Sequence, residues 1–201
     1  MKIELTPSSP LWPHHFAEIR AELGELLSDL QPRIEHIGST AVPGLASKPI
    51  IDVLIGLPES VQLDKVIAPL IAAGYTYYET YTPVMPFRRF FAKIQPRKEG
   101  EKVPEVITAH DTNPDELGFA KTAHIHVVYA CSAFWDRHLA FREYLKEHPE
   151  VREKYQLLKL ALSEHEWKNG QAYNAAKSDF LNQEEAKALE WCKKRTTEIK
   201  S

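Results

Sequence analysis

One continuous stretch, residues 35–56, places the strongest limits on how this chain can fold. It reads EHIGSTAVPGLASKPIIDVLIG, and its first apolar residues end in the pair Gly38-Ser39. This pattern predicts a strand that delivers a small turn to the start of a short helix. The apolar run Ile50–Leu57 then predicts a buried strand, and this strand carries a single carboxylate, Asp52.

Such a turn suits an anionic ligand, because free backbone N–H groups and the positive end of a helix dipole point to the same place. Gly38 lets the backbone approach a ligand closely, and Ser39 adds a hydroxyl for a phosphate oxygen. The simpler interpretation is that Ser39 or Thr40 only caps the helix. Asp52 favours a site, since a carboxylate in an apolar strand needs a cation or hydrogen bonds. Together these residues predict a metal–phosphate site with Asp52 as its catalytic carboxylate.

Composition limits the classes of protein to which the chain can belong. Its 201 residues, 43% of them apolar, suffice for one domain with a normal core. The net charge of −3 provides no basic field for duplex nucleic acid or an anionic membrane. Two cysteines are too few for a disulfide framework, and no signal peptide or membrane-spanning run is visible. We expect a cytoplasmic protein whose partners include neither duplex nucleic acid nor membrane.

Hydrophobic periodicity predicts an α+β fold with a mostly β middle between helical ends. Residues 1–131 would form the core, and residues 132–201 a helical region packed on it in a single compact unit. We expect helices at Leu11–Leu30 and at about Val61–Ala73, and strands at Arg33–Gly38, Ile50–Leu57, Tyr75–Tyr81, Phe87–Ile94 and Thr122–Ala130. The charged residues 97–113 are interpreted as a hairpin or loop. Breaks between the C-terminal helices are expected at residues 148–149, at Gly170 and near Asn182.

The last predicted strand carries the motif His124-x-His126. Alternate strand residues share a face, so the two imidazoles point the same way about 7 Å apart. Such a pair ligates one metal ion or holds one anion, and a nearby carboxylate strengthens the metal interpretation. The alternative is a pair of partly exposed histidines on a polar face. We expect Asp52, His124 and His126 to bind one divalent ion, such as Zn²⁺, Mn²⁺ or Mg²⁺.

Two further candidates precede the Gly-Ser turn. Glu35 and His36 are neighbours on the first predicted strand. Only one of them can join the site, because adjacent strand residues face opposite ways.

Basic residues in the segment PFRRFFAKI supply a second candidate anion contact. On a strand, Arg89 and Lys93 share one face, whereas Arg88 lies on the other. Arg89 and Lys93 would then form a cationic pair suited to phosphate or carboxylate. An equally good interpretation is a solvated edge strand whose basic side chains discourage aggregation.

Other basic residues are candidates because of their spacing. Lys48 precedes the Asp52 strand and is placed to reach a bound anion, although a surface role is as good an explanation. Tyr173 and Lys177 are an i,i+4 pair in a predicted helix, as are Tyr155 and Lys159. Such faces can close over a base or a sugar, and we include Tyr173 and Lys177 among the nucleotide-binding candidates. The simpler explanation is ordinary amphipathic helix surface.

Several segments of the chain resemble a known family. IEHIGSTAVPGLASKPIIDVLIG, RRFFAK, HIHVV, FREYLKEHP, YQLLK and AYNAAKSDF are similar to the GrpB family over nearly the whole chain. This resemblance implies a nucleotidyltransferase-like mixed β-sheet with flanking helices, followed by a C-terminal helical lobe. Relatives of the family also occur fused to a dephospho-coenzyme A kinase, which implies a link to nucleotide or cofactor metabolism.

The wider nucleotidyltransferase superfamily implies roles for individual residues. It holds a triphosphate with Gly-Ser at a helix start, as Gly38-Ser39 would, and binds two metal ions with Asp-x-Asp on the next strand. Asp52 resembles the second aspartate, whereas Ile50 replaces the first and cannot ligate metal. The superfamily's third carboxylate is replaced here by one histidine of His-x-His. One carboxylate with two imidazoles is a softer ligand set, better matched to Zn²⁺, Mn²⁺, Fe²⁺ or Ni²⁺ than to paired Mg²⁺ ions.

These observations leave two main hypotheses for function. The first is metal-dependent handling of a nucleotide or phosphate, extending to nucleotidyl or phosphoryl transfer. The second is a non-catalytic module that binds a nucleotide or small anion, which the replacement at Ile50 favours. An interaction role for the charged segment Glu184–Lys200 has the least support, because such runs usually form solvated helix surfaces.

Overall fold

The computed structural model describes residues 1–96, 98–112 and 119–199. Strands occupy the middle of the chain, and only helices follow residue 132 in the described part. The helices are α1 Trp12–Leu26, α2 Ile67–Ala72, α3 Ala133–Glu147, α4 Pro149–Ser163, α5 Gly170–Ala175 and α6 Ser178–Ile199. The strands are β1 Arg33–Ile37, β2 Ile51–Leu57, β3 Thr76–Tyr77, β4 Arg89–Gln95 and β5 Ala120–Tyr129. Short 3₁₀ helices lie at Ser28–Leu30, Ser39–Ala41, Leu63–Val66 and Glu79–Tyr81.

The five strands form one mixed sheet in the order β1-β2-β5-β4-β3. β2 and β5 run parallel, and the other neighbouring pairs are antiparallel. The register places Asp52 beside Ile37 on one side and beside His124 on the other. The α+β fold predicted from the sequence is therefore confirmed, and the sheet brings the end of β1, Asp52 and the His-x-His strand side by side.

Both faces of the sheet are covered. One face packs on α1 and α2 through a core that includes Val53 and Phe91. The opposite face packs on α3, where Trp135 joins a cluster with Leu54. This double burial explains why β2 reads as a nearly continuous apolar run rather than as an alternating one. Asp52 is the exception, and it belongs to the α3 face.

The C-terminal helices close over one end of the α3 face. Residues of α3, α4 and α6 form a core with Val42 and Leu45, which lie between β1 and β2. On α4, Gln156 Oε1 also accepts a hydrogen bond from the Ala46 backbone N–H at 2.9 Å. The helical region is thereby attached to the turn that follows β1. None of the described helices is both long enough and apolar enough to cross a membrane.

The boundaries of three elements in the first half of the chain differ from expectation. The helix expected at Leu11–Leu30 ends at Leu26, and a 3₁₀ turn follows before Gln31 takes a left-handed φ of 51°. The α-helical part of the segment Val61–Ala73 begins only at Ile67, which places Pro69 in the first turn, where its missing N–H is tolerated. The strand expected at Tyr75–Tyr81 keeps only Thr76–Tyr77 because the chain then turns into a 3₁₀ helix.

The break expected near Asn182 lies instead between α5 and α6, and this allows Phe180 to stack on Tyr155 with ring centroids 5.4 Å apart. In the predicted hairpin or loop at 97–113, the described residues 98–112 contact the sheet through a bridge between Val106 and Tyr77 and through Ile107, which joins a buried cluster with Phe90. Positions 97 and 113 of that prediction lie outside the described residues.

The packing of α3 on β2 predicts a stability effect at Gly56. A Cβ atom there would lie 2.6 Å from the Trp135 ring and 2.9 Å from Ala130, so Gly56→Ala must displace α3 from the sheet. We expect the free energy of unfolding to fall by about 1–3 kcal/mol in chemical denaturation.

Gly24→Ala in α1 is the matched control. Its Cβ would meet only Ile34, at 3.9 Å, and alanine favours a helix more than glycine. We expect unchanged stability or a gain of up to about 1 kcal/mol. If both variants were as stable as the wild type, Trp135 would not pack on β2 as described.

Candidate functional site

Asp52 lies directly against the turn after β1. Gly38 has a positive φ of 73°, and a methyl group at this position would overlap the Asp52 carboxylate. Glycine is therefore needed at this position both for the backbone conformation and for space. Asp52 Oδ1 accepts a hydrogen bond from His124 Nδ1 at 2.9 Å. The structure thus brings together the Gly-Ser turn, the lone carboxylate and one histidine of the His-x-His motif.

Three lysines, Lys48, Lys159 and Lys177, lie on the Ser39 side of this turn, and we call them the lysine cluster. Lys159 Nζ donates to Ser39 Oγ at 3.1 Å and also to the Ala46 carbonyl. The ammonium groups of Lys48 and Lys177 lie over the Tyr173 ring, 5.6 and 4.3 Å from its centroid. The predicted candidates Ser39, Lys48, Tyr173 and Lys177 are therefore neighbours, although they come from distant parts of the chain.

Burial perturbs the protonation of this cluster. Desolvation, with a smaller effect of Lys177, lowers the pKa of Lys159 from its ordinary value of 10.5 to about 7. Desolvation and then the charge of Lys48 lower the pKa of Lys177 to about 8, against a raising effect of Asp52. None of the three lysines forms an ion pair with a carboxylate in the described part of the chain. The cluster is therefore a set of amines whose positive charge, when they are protonated, is balanced by no described carboxylate.

A cavity of about 850 Å³ connects Asp52 and the lysine cluster. Among the described residues that line it, seven are lysine or arginine and only two, Glu4 and Asp52, are acidic. This excess of positive charge contrasts with the net charge of −3 for the whole chain. The cavity can therefore concentrate an anion that the rest of the surface does not attract.

The three predicted metal ligands line this cavity but do not form a three-ligand site. Arg88 Nη1 lies 3.2 Å from His126 Nδ1, and a guanidinium only donates, so this nitrogen accepts. Burial, followed by the charge of Arg88, lowers the pKa of His126 well below its usual range. Its neutral ring then carries a proton on Nε2 and has no lone pair left for a metal.

The described ranges contain no group of three His, Cys, Asp or Glu side chains able to hold a metal ion. Asp52 and His124 are the remaining donors, and they already bind each other. The divalent cofactor therefore stays a prediction.

The positions of Arg89 and Lys93 correct the sequence expectation. Arg89 forms an ion pair with Asp64, and Lys93 donates to the Ala73 carbonyl and reaches Glu22. Both side chains lie on the face that carries α1 and α2, so they do not line the cavity. The prediction that they share a face was right, but that face is the opposite one from Asp52.

The alternative between Glu35 and His36 is also resolved. Glu35 Oε2 accepts a hydrogen bond from Arg142 Nη1 at 2.9 Å, on the α3 face. His36 stacks on Phe16 of α1 with centroids 4.6 Å apart, and burial lowers its pKa to about 4. Neither residue lines the cavity, but Glu35 holds Arg142, which does.

The family is decided by comparison with known proteins. A family model described as GrpB protein matches residues 2–187. The chain belongs to the GrpB family. The crystal structure of GrpB from Enterococcus faecalis is similar, with a TM-score of 0.72 and 28% sequence identity, over 93% of this chain and 98% of that one. The GrpB fold is therefore shared along nearly the whole chain.

Other relatives carry descriptions that state no activity. A UPF0157 protein of Pseudomonas aeruginosa is 33% identical over 180 residues, which are 90% of this chain and 65% of that protein. A UPF0157 protein of Halalkalibacterium halodurans is 28% identical over 181 residues, 90% of this chain and 80% of its own length. The chain thus spans slightly less than two thirds of the Pseudomonas protein. A dephospho-CoA kinase of Mycolicibacterium paratuberculosis is 35% identical over 83 residues, 40% of this chain and 20% of the kinase.

Some cavity residues were missed or left out of the predicted site. Lys159 was visible as the i,i+4 partner of Tyr155, but the spacing did not indicate that it is buried. Arg88 was placed on the face opposite Arg89, without a role. His138 and Arg142 gave no sequence signal, because both lie in an ordinary amphipathic pattern on α3. Only the packing of α3 on the sheet brings them to the cavity.

The low pKa of Lys159 predicts how stability depends on pH. Between about pH 7 and 10.5 the folded protein binds fewer protons at this site than the unfolded chain does, so the free energy of unfolding rises with pH. Lys159→Met removes this contribution and should flatten the rise measured by urea denaturation. Lys154→Met, at an exposed position of the same helix, controls for the loss of one lysine. An equally steep rise in Lys159→Met would contradict the assignment.

Proposed function

We propose that the cavity binds a small molecule of the nucleotide class through a phosphate group held by the lysine cluster and Ser39. The lysine cluster is the observation that supports this proposal most. Burying one ammonium group without a carboxylate is unfavourable, and a second one nearby adds repulsion. A polyphosphate supplies the missing negative charge and offers several acceptor oxygens to the amines and to the hydroxyl.

The dimensions and walls of the cavity support a ligand larger than inorganic phosphate. A volume of about 850 Å³ is in the range of sites for cofactor-sized molecules. Aromatic side chains line the cavity as well as basic ones, among them Tyr81, Phe90 and Phe141. Rings of this kind stack on a base, while the cations hold the phosphate. The resemblance to nucleotidyltransferases, with phosphate at Gly38-Ser39, agrees with this orientation.

Metal-assisted phosphoryl transfer is a second candidate, favoured by the position of Asp52 against Gly38. Mg²⁺ is commonly held by one or two carboxylates together with phosphate oxygens of the substrate, so it does not need three protein ligands. The two candidates differ in what Mg²⁺ does. Transfer requires conversion of a labelled nucleoside triphosphate that depends on Mg²⁺ and on Asp52, whereas a binding module needs neither.

The first prediction of the proposal concerns which face of the sheet contacts the ligand. Lys177→Gln removes one charge from the cavity, and we expect it to raise the Kd for ATP and for pyrophosphate about tenfold or more, because it removes a charged hydrogen bond. Lys93→Gln removes one charge from the opposite face and should change neither Kd by more than about twofold. Isothermal titration calorimetry at low ionic strength measures both.

Two outcomes would contradict the proposal. One is that neither ATP nor pyrophosphate binds the wild-type protein at neutral pH. The other is that Lys93→Gln weakens binding and Lys177→Gln does not, which would return the site to the face originally expected. Thermal unfolding of each variant checks that its fold is retained.

A further prediction concerns the pH dependence of the affinity and the uptake of protons when the ligand binds. An anionic ligand favours the charged amines, so affinity should fall as pH rises through the pKa values of Lys159 and Lys177, about 7 and about 8. Binding at pH 8 should therefore take up protons. Calorimetry in two buffers of different ionisation enthalpy measures this uptake directly, and Lys177→Gln should reduce it. Binding without proton exchange would contradict the role of the lysine cluster.

A further inference from the structure

Arg88 is a half-buried cation of the cavity, and it lies apart from the lysine cluster. It immediately precedes β4, whose register places Arg89 beside Val127. His126, the hydrogen-bond partner of Arg88, lies two residues and about 7 Å further along β5 than His124. Ser39 follows the opposite end of this strand pair, because Ile37 already pairs with Asp52. The cavity therefore has a lysine end and an arginine end, with Asp52 and His124 between them.

The surroundings of Arg88 orient its guanidinium group without neutralising it. The group lies over the rings of Phe90, Phe134 and Tyr81, at 5.3, 5.7 and 6.0 Å from their centroids. Its Nε atom is buried and has no hydrogen-bond partner among the described residues. Within the same ranges, Arg88 forms no ion pair with a carboxylate. A half-buried charge and a buried donor are thus both left unsatisfied by the described residues.

The donors at this end match a planar or tetrahedral anion. Arg88 presents five N–H groups in a rigid fork, of which Nη1 already donates to His126 Nδ1 at 3.2 Å. Because His126 accepts at Nδ1, its Nε2 carries a proton and is a further donor. A carboxylate or phosphate can accept two parallel hydrogen bonds from such a fork. By contrast, Arg89 forms an ion pair with Asp64, so its positive charge is balanced without a ligand.

We propose that Arg88 and His126 form a second anion subsite, which binds an anionic group at the far end of the same ligand whose phosphate lies at the lysine cluster. This inference rests on the proposed function and adds to it the class of ligand. The ligand carries two separate anionic groups, and its middle part passes Asp52 and His124. A single phosphate or pyrophosphate fills only one end of the cavity.

Titration with matched nucleotides tests the second subsite. The probes are adenosine 5′-monophosphate and the 2′,5′- and 3′,5′-bisphosphates of adenosine, which add one phosphate at the opposite side of the ribose. We expect the better bisphosphate to bind the wild-type protein about tenfold tighter or more, the gain that one charged hydrogen-bonded contact provides. Arg88→Gln should remove this advantage and leave the affinity for the monophosphate within about twofold. Arg88→Lys should keep only part of it, since an ammonium group lacks the fork.

The controls separate this inference from the proposed function. Lys177→Gln should weaken the monophosphate and the bisphosphates alike, and Arg89→Gln should change neither. The second subsite is wrong if the bisphosphates bind no better than the monophosphate, or if Arg88→Gln keeps their advantage. The proposed function is wrong if none of the three nucleotides binds, or if Lys177→Gln leaves the monophosphate unaffected. Thermal unfolding shows whether Arg88→Gln is folded, and Arg88→Lys gives a second reading if it is not.

Discussion

The hydrogen bonds of the buried Lys159 amine hold α4 against the segment between β1 and β2 and also form part of the candidate site. The amine donates to Ser39 Oγ and the Ala46 carbonyl, and the Lys159 side chain is buried without a carboxylate partner in the described chain. A methionine of similar length would pack there without the desolvation of a charge. The protein instead keeps an amine whose pKa lies near neutrality. An anion in the cavity would stabilise the protonated form of this amine, because it supplies the negative charge that no described carboxylate provides.

Basic residues on the two sides of the sheet differ in their partners, except that Arg142 is paired with a carboxylate on the cavity side. On the face that packs against α1 and α2, Arg89 and Lys93 have acidic partners and hold neighbouring elements together. On the opposite face, Arg88 and the lysine cluster have no such partners within the described residues. Pairing with carboxylates marks the first group as structural, and the shortage of carboxylates marks the second as available to a ligand. This division explains how a chain of negative net charge can contain a strongly basic cavity.

Local sequence patterns were sufficient for much of the fold and for part of the site. β1, β2, β4 and β5 were predicted because apolar runs and turn residues mark them, and the Gly38-Ser39 turn with Asp52 was predicted because a carboxylate in an apolar strand is unusual. Alternation within β4 correctly grouped Arg89 with Lys93. It did not indicate which face they occupy, because Phe90 and Phe91 are both buried and the two faces look alike. The roles of Lys159 and Arg88 depend on contacts between segments far apart in the chain, which spacing does not encode.

The central claim is that the phosphate position lies between Ser39 and the lysine cluster, and anomalous diffraction from crystals soaked in a low concentration of tungstate tests it most directly. Tungstate is a tetrahedral oxyanion like phosphate, and its metal atom is located without reference to the surrounding density. The account predicts the strongest tungsten peak at a position from which the tungstate oxygens accept hydrogen bonds from Ser39 Oγ, Lys159 Nζ and Lys177 Nζ. Peaks confined to the outer surface, or to the face of Arg89 and Lys93, would contradict it.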